Sequence, residues 1–562
     1  MEYLIFIAAV GIVLFIIAIR GHIDRNKKNK KYIEQLRKAY GSFGKKEIRP
    51  EQYRQIEQYY RKHCEQKKEQ YSEVDDITWN DLDMNRLFQL MDCTQSSAGQ
   101  EYLYYSLRMV KNTKEELEEQ EKLVLFFDSH EEERIQFQYI CREIGKTGKY
   151  SIYDYLDYLD TLGKRSNLKH HLINFLFLPA IGTIFYNTGL GIFLLFLLIC
   201  YNIASYFREK DVIAPYITSF LYVLRILNGI DRLNEIKSTE LKSYMQPLVM
   251  ERRQLRKFVR NSNFALSDLG TSSNPFSVII DYLKMMFHID IIMFNAMLGE
   301  LIRHVDNVDH LITGIGTMET AIAIGNYRRA LQYYCIPELS EEKKIYCKEI
   351  YHPYIENPVS NSLNADKNVL LTGSNASGKS TFLKTIALNA ITAQTIHTVA
   401  AKAYQACIFK IYSSMSLRDD LMNGESYYMA EIRSLKRILG AIQEAEIPVL
   451  CFVDEVLRGT NTVERIAAST QILKSMVGKN VVCFAATHDI ELTELLKHIY
   501  DNYHFTEDVI NHDVLFNYQL QQGPATSRNA IKLLEMIGYD KEIITKANEQ
   551  AEYFIKYGNW SI

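Results

Sequence analysis

The chain has 562 residues, 47% of them hydrophobic, and a formal net charge of −3. That length and apolar content exclude a disordered chain and leave room for roughly two to four packed domains, while a charge so near zero gives no bulk attraction to a polyanion, so any nucleic-acid contact has to come from a local basic surface. Nine cysteines, an odd number with no Cys-x-x-Cys pair, suit reduced core thiols rather than a disulfide frame or a zinc site, which points to a cytoplasmic catalytic part.

The first element is an uncharged apolar run, Tyr3 to Ile19, at the short end of what crosses a hydrocarbon layer as a helix. Glu2 precedes it and Arg20, Arg25, Lys27, Lys28, Lys30 and Lys31 follow it. A cleaved signal peptide has the opposite charge order, so residues 1–24 read as an uncleaved anchor with its amino terminus outside. The basic excess up to Lys68 follows the same rule and is not read as a DNA site. Residues 25–75 read as a charged helical linker. Over 76–168 apolar residues recur at three and four spacing, Leu82, Leu87, Leu90 and Met91, then Tyr102, Leu103 and Leu107, which predicts a helical core segment. A second apolar block, Leu172 to Tyr186 and Leu190 to Tyr206, is split by Asn187-Thr188-Gly189 and flanked by Lys164, Arg165 and Lys169 before it and by Arg208 and Lys210 after it. This predicts a transmembrane helical hairpin over 169–208 with both ends in the cytoplasm. Residues 209–342 continue as a helical lever region, densest in apolar residues between Val278 and His304 and punctuated by Ser272-Ser273-Asn274-Pro275.

Within 343–562 the pattern changes. Short apolar runs end in polar, chemically capable clusters: Val369 to Thr372 runs into Gly373, Val449 to Val453 into Asp454-Glu455, and Val481 to Ala486 into Thr487-His488-Asp489. Buried parallel strands have this form, and ligands of open α/β sheets sit beyond the strand carboxyl ends. Gly373-Ser374-Asn375-Ala376-Ser377-Gly378-Lys379-Ser380, followed by Thr381, fits G-x-x-x-x-G-K-[ST] between a strand and a helical pattern. Glycines let such a loop wrap phosphate oxygens, amide N–H groups and the helix amino terminus face them, the lysine reaches the β and γ phosphates, and the Ser380 hydroxyl ligates Mg²⁺. Asp454 is then the second magnesium residue, Glu455 the carboxylate that polarises the attacking water, and His488 a γ-phosphate sensor. These residues predict an ATP hydrolase using ATP and Mg²⁺.

The same blocks resemble the MutS family over roughly residues 345 to 560. His352-Pro353, Thr372 to Thr381, Asp419-Asp420-Leu421-Met422-Asn423-Gly424-Glu425-Ser426-Tyr427-Tyr428-Met429-Ala430-Glu431, Asp454 to Thr462 and Ala486-Thr487-His488 look like its motifs in order and spacing. Asp92 to Arg108 is similar to its core segment, and Ala525 to Ala530 to its closing segment. The resemblance implies an α/β P-loop (ABC-type) ATPase domain at the carboxyl terminus, preceded by an all-α core and lever domain. It also implies a homodimer with composite sites, in which Ser426 of one subunit reaches the γ-phosphate held by the other and Asn461 and Thr462 lie across the interface, and a DNA partner. The pattern departs from the family in two places. Mismatch-recognising MutS proteins carry an amino-terminal Phe-x-Glu wedge where this chain has its apolar run; its Phe-x-Glu tripeptides, Phe207-Arg208-Glu209 and Phe505-Thr506-Glu507, lie elsewhere. Val359 stands near the place of the aromatic residue that would stack on adenine. The expected partner is therefore duplex or branched DNA rather than a single mismatch. The rival expectation is a membrane-bound mechanical ATPase that acts on a protein or envelope partner. An ABC transporter fits less well, because Asn423-Gly424-Glu425-Ser426 is not its Leu-Ser-Gly-Gly-Gln signature.

Overall fold

The computed structural model describes residues 2–44, 47–67, 71–148, 150–163, 165–265, 282–374, 377–415, 427–444, 446–457, 460–510, 513–525, 530–557 and 560. Ser272 to Pro275, Asn375, Ala376, Asp419 to Ser426, Arg458, Gly459 and Thr526 to Asn529 lie outside them. The amino-terminal apolar run is part of one helix, Glu2–Ala39, which passes the boundary expected at residue 24 because its basic continuation is built from good helix formers. Among the described residues before 335, the helices are joined by one short antiparallel ladder, β1 (Tyr71–Glu73) with β2 (Met109–Lys111). Strands of this length leave no alternating pattern to read, so the sequence showed only helix there.

The second apolar block folds as a hairpin. Helices Leu168–Phe175 and Phe177–Tyr186 run out, and Asn187 turns the chain and caps the return helix by accepting a hydrogen bond from Leu190 N at 3.1 Å. By length and composition, Leu168–Tyr186 and Thr188–Ala214 are both sufficient to cross a membrane, and only 17% of the most apolar window of each is buried. Phe185 and Tyr186, at the tip, are 90% and 95% exposed. The return helix does not stop at residue 208. It runs from Thr188 to Leu233, 46 residues or roughly 70 Å, because the charged stretch after Phe207 alters which side chains meet solvent without breaking the backbone. Pro215 alone removes an N–H donor from this span.

A polar network joins the base of the hairpin to the start of helix Ile289–Arg303. Asn174 Nδ2 donates to the Phe287 carbonyl at 2.7 Å, Asn202 Nδ2 to the Met286 carbonyl at 2.8 Å, and Asn167 Nδ2 to the Ile292 carbonyl at 3.0 Å. His288 Nε2 lies 2.9 Å from the Asn202 carbonyl, which can only accept, so this nitrogen carries a proton; in the neutral ring Nδ1 then accepts from His170 Nδ1–H at 2.8 Å. Both histidines are buried. Tyr206 donates to Asp290 Oδ2 at 2.6 Å.

From there Ile289–Arg303 and Val305–Ala330 return toward the α/β region. Glu319, buried on the second of these, accepts hydrogen bonds from Gln95 N and Ser96 N just ahead of helix Ser97–Arg108. Arg328, near its end, is bidentate to Glu121 at 2.7 and 2.6 Å and also donates to Thr398 Oγ1 and the His397 carbonyl, just beyond the helix Lys379–Thr395. Burial opposes the Glu121 charge, yet hydrogen bonds from Arg328 and His397 outweigh it and hold that carboxyl at about 2.

The α/β region contains two sheets. The smaller has the order β3 (Glu338–Leu339), β7 (Ala403–Ala406), β4 (Ile345–Ile350), β5 (Asn361–Ala365). The larger has the order β12 (Asp513–Gln522), β11 (Tyr500–Ile510), β6 (Asn368–Thr372), β10 (Val481–Ala486), β9 (Val449–Asp454), β8 (Lys410–Ser414). Its neighbours are parallel from β11 to β8, with β12 antiparallel at the edge. Successive side chains of a strand point to opposite faces, and here both faces are covered. Val369, Leu371, Leu450, Phe452 and Phe484 pack with Phe382, Leu383 and Ile386 of Lys379–Thr395 in a core continuous with the helical region. Leu370, Cys451, Val453 and Cys483 pack with Leu435, Ile438 and Leu473 of helices Tyr427–Gln443 and Thr462–Ser475. Double coverage is why these strands read as unbroken apolar runs.

Candidate active site

β6, β10 and β9 are neighbours, and their register sets Leu371 opposite Ala486 and Ala486 opposite Asp454. The three strands end at one level, so Gly373, Asp454-Glu455 and Thr487-His488 emerge side by side. Gly373, at φ +142°, has no room for a side chain: a Cβ there would lie 2.9 Å from Ser377 Oγ and 3.0 Å from the Phe505 carbonyl oxygen. Gly378, at φ +106°, caps the start of Lys379–Thr395. Lys379 Nζ donates to the carbonyls of Gly373 at 2.8 Å and Ser374 at 2.7 Å, which brings the ammonium to the loop mouth.

Ser380, one residue into the helix, lies near the Asp454 carboxyl. Burial raises that carboxyl above its ordinary pKa and the neighbouring Glu455 charge adds to the rise, while the Ser380 hydroxyl opposes it. A buried carboxylate beside a hydroxyl fits a hard divalent cation, which relieves the burial of charge and takes further oxygens from phosphate and water. Among the described residues no group of three or more His, Cys, Asp and Glu could hold a metal by itself. Glu455 Oε1 lies 2.8 Å from His488 Nε2, and Glu455 N donates to the Ala486 carbonyl at 2.9 Å. Asp489, the next residue after His488, is bidentate to Arg465 of helix Thr462–Ser475 at 2.9 and 2.6 Å. Asn461 caps that helix by accepting from Val463 N, and Asn461 and Thr462 are both exposed. Of the expected site residues, Asn375, Ala376 and Ser426 lie outside the described ones.

Lys379, Ser380, Glu455 and His488 line a cavity of about 460 Å³. Its other wall comes from Ile355, Pro358, Val359, Asn361 and Tyr518. Tyr518, on β12, was not among the residues singled out in the sequence. A Cβ at Gly378 would lie 3.1 Å from its ring. Asn361 fixes that stretch of β12, donating to the Tyr518 carbonyl at 3.0 Å and accepting from Leu520 N at 2.7 Å. No local pattern marks Tyr518, because it reaches the cavity only through the pairing of β12 beside β11 and the Asn361 link. His352, also in the lining, is held near pKa 4 by burial and, less, by the charges of Lys384 and Arg86, so it is neutral at pH 7.

A family model described as MutS domain V matches residues 369–554. Two curated relatives, each named DNA mismatch repair protein MutS and coming from two strains of Thermus thermophilus, are 33% identical to this chain over 201 residues. That stretch is 35% of this chain and 24% of each relative, so the match spans about a quarter of their length. The likeness to MutS domain V thus covers residues 369–554, the stretch that carries the phosphate loop, Asp454-Glu455 and His488.

Proposed function

We propose that the chain is a membrane-anchored ATP hydrolase that works as a homodimer with composite sites. The observation that carries the reading is the common level at which β6, β10 and β9 end, which gathers Lys379, Ser380, Glu455 and His488 around one cavity and sets Asp454 at the adjoining strand end. In this reading Lys379 and the loop amides from Gly373 to Thr381 bind the phosphates, and Ser380 and Asp454 hold Mg²⁺, which supplies charge neutralisation at the γ-phosphate. Glu455 orients and deprotonates the attacking water, and His488 holds that carboxylate from the far side. Tyr518 offers a ring face to the base where Val359 offers only an aliphatic wall. Ser426, Asn461 and Thr462 act on the site of the second subunit. The experiment is ATP binding and turnover by the purified full chain with and without Mg²⁺: Lys379→Ala should abolish uptake of ATP, and normal uptake by that variant would end the proposal.

The name of the Thermus relatives, DNA mismatch repair protein MutS, supports DNA as the partner. A second reading is favoured by the helix Thr188–Leu233, which runs from the apolar hairpin tip into the helical region in one piece. It suits a mechanical ATPase that works on a membrane or envelope partner without DNA. Binding of labelled duplex by the detergent-solubilised dimer separates them: phosphate contacts give an affinity that drops steeply with salt, and no binding at low salt would leave the second reading.

A further inference from the structure

The turn that carries Glu455 is held in a conformation that its own residues disfavour. Glu455 and Leu457 both have φ near +59°, the left-handed region in which a Cβ crowds the backbone, and neither is glycine. Such strain persists only where the surroundings impose it. Three contacts impose it here. Glu455 N donates to the Ala486 carbonyl at 2.9 Å and Ser469 Oγ to the Val456 carbonyl at 3.2 Å. The third is a carboxylate: Leu457 N donates to Glu431 Oε1, and Glu431 is only 3% exposed. Burying a carboxyl group is costly unless its hydrogen bonds are kept, and removing it would leave Leu457 N without this acceptor. Glu431 stands in the first turns of helix Tyr427–Gln443, at the end of the segment that resembles the family signature.

We infer that Glu431 is a positioning residue for hydrolysis. It fixes the left-handed form of the Glu455–Leu457 turn, and through it the meeting of Glu455 Oε1 with His488 Nε2. A shift of helix Tyr427–Gln443 withdraws the acceptor from Leu457 N and lets the turn relax, which takes the Glu455 carboxylate out of line. The composite site's signature helix and its water-activating group are thereby one mechanical unit within a subunit. This inference rests on the ATP-hydrolase reading above.

The test uses the full chain in detergent with Mg²⁺ and ATP. Glu431→Ala should lower kcat roughly ten- to 100-fold, the scale of a small misplacement of a reacting group, with KM for ATP little changed. Glu431→Gln keeps a neutral acceptor and should fall between. Adding Leu457→Gly to Glu431→Ala should restore much of the lost turnover, because glycine adopts the left-handed form without the side-chain penalty. Parental kcat in Glu431→Ala overturns the inference, as does loss of ATP binding together with kcat, or a double variant no faster than Glu431→Ala. If instead Glu455→Gln hydrolyses ATP at the parental rate, the ATP-hydrolase reading itself fails and this inference falls with it.

Discussion

The carboxyl end of the large sheet and the base of the hairpin are both polar places inside apolar surroundings, and they are built in opposite ways. At the sheet, each polar group follows directly on its strand, so Gly373, Asp454-Glu455 and Thr487-His488 are contiguous with the apolar runs that deliver them. At the hairpin base, His170, Asn174 and Asn202 meet His288 and the carbonyls of Met286 and Phe287, partners more than 80 residues away in the chain. The sheet turns its groups toward a cavity, whereas the hairpin base directs its amide donors and its two histidines at partners inside the joint. A site that must receive a ligand presents its polar groups to open space; a joint that ties distant segments together points its donors inward.

Four substitutions break or sharpen that contrast. The largest effect is expected from Glu455→Gln, which should cut turnover by about 100-fold or more while retaining ATP and a tight dimer; size-exclusion and ATPase measurements check both, and unchanged turnover would put Glu455 on the structural side of the comparison. Next, Asn202→Leu leaves the Met286 carbonyl without its donor and should destabilise the chain by about 1–3 kcal/mol in thermal unfolding in detergent, with ATP affinity unchanged. Tyr518→Ala should weaken ATP about tenfold, within the range that base stacking contributes, with less effect on inorganic triphosphate. A binding isotherm for each ligand distinguishes a base contact from general damage.

The smallest effect concerns pH. Burial raises the Glu319 carboxyl to about 7, against the hydrogen bond from Ser96 and the amide of Gln95. The folded state then keeps a proton that the unfolded chain releases near 4.5, so this group's stabilising contribution is complete at low pH and is lost as pH rises through about 7. Glu319→Gln should flatten that part of the stability profile between pH 5 and 8; an unaltered slope would assign it to another group.

Much of the carboxyl end of the large sheet was legible because its pattern is local. The spacing of Gly373, Gly378, Lys379 and Ser380, and the pair Asp454-Glu455 after five apolar residues, mark the strands and the turns beyond them in a few positions. What stayed hidden depends on contacts distant in sequence. Tyr518 enters the cavity through strand pairing, Glu431 meets Leu457 across a helix–turn contact, and the hairpin network joins three separate segments. The full length of helix Thr188–Leu233 was hidden for a different reason: a change from apolar to charged side chains marks a change of surroundings, and an α-helix can cross it intact.

That crossing has a geometric consequence. A rod of roughly 70 Å that pivots by about 5° at one end sweeps the other through roughly 6 Å. A displacement too slight to notice at the Leu233 end is thus magnified to about a full helical turn at Phe185 and Tyr186, and Pro215 is the point along the rod where such leverage could be absorbed instead of delivered.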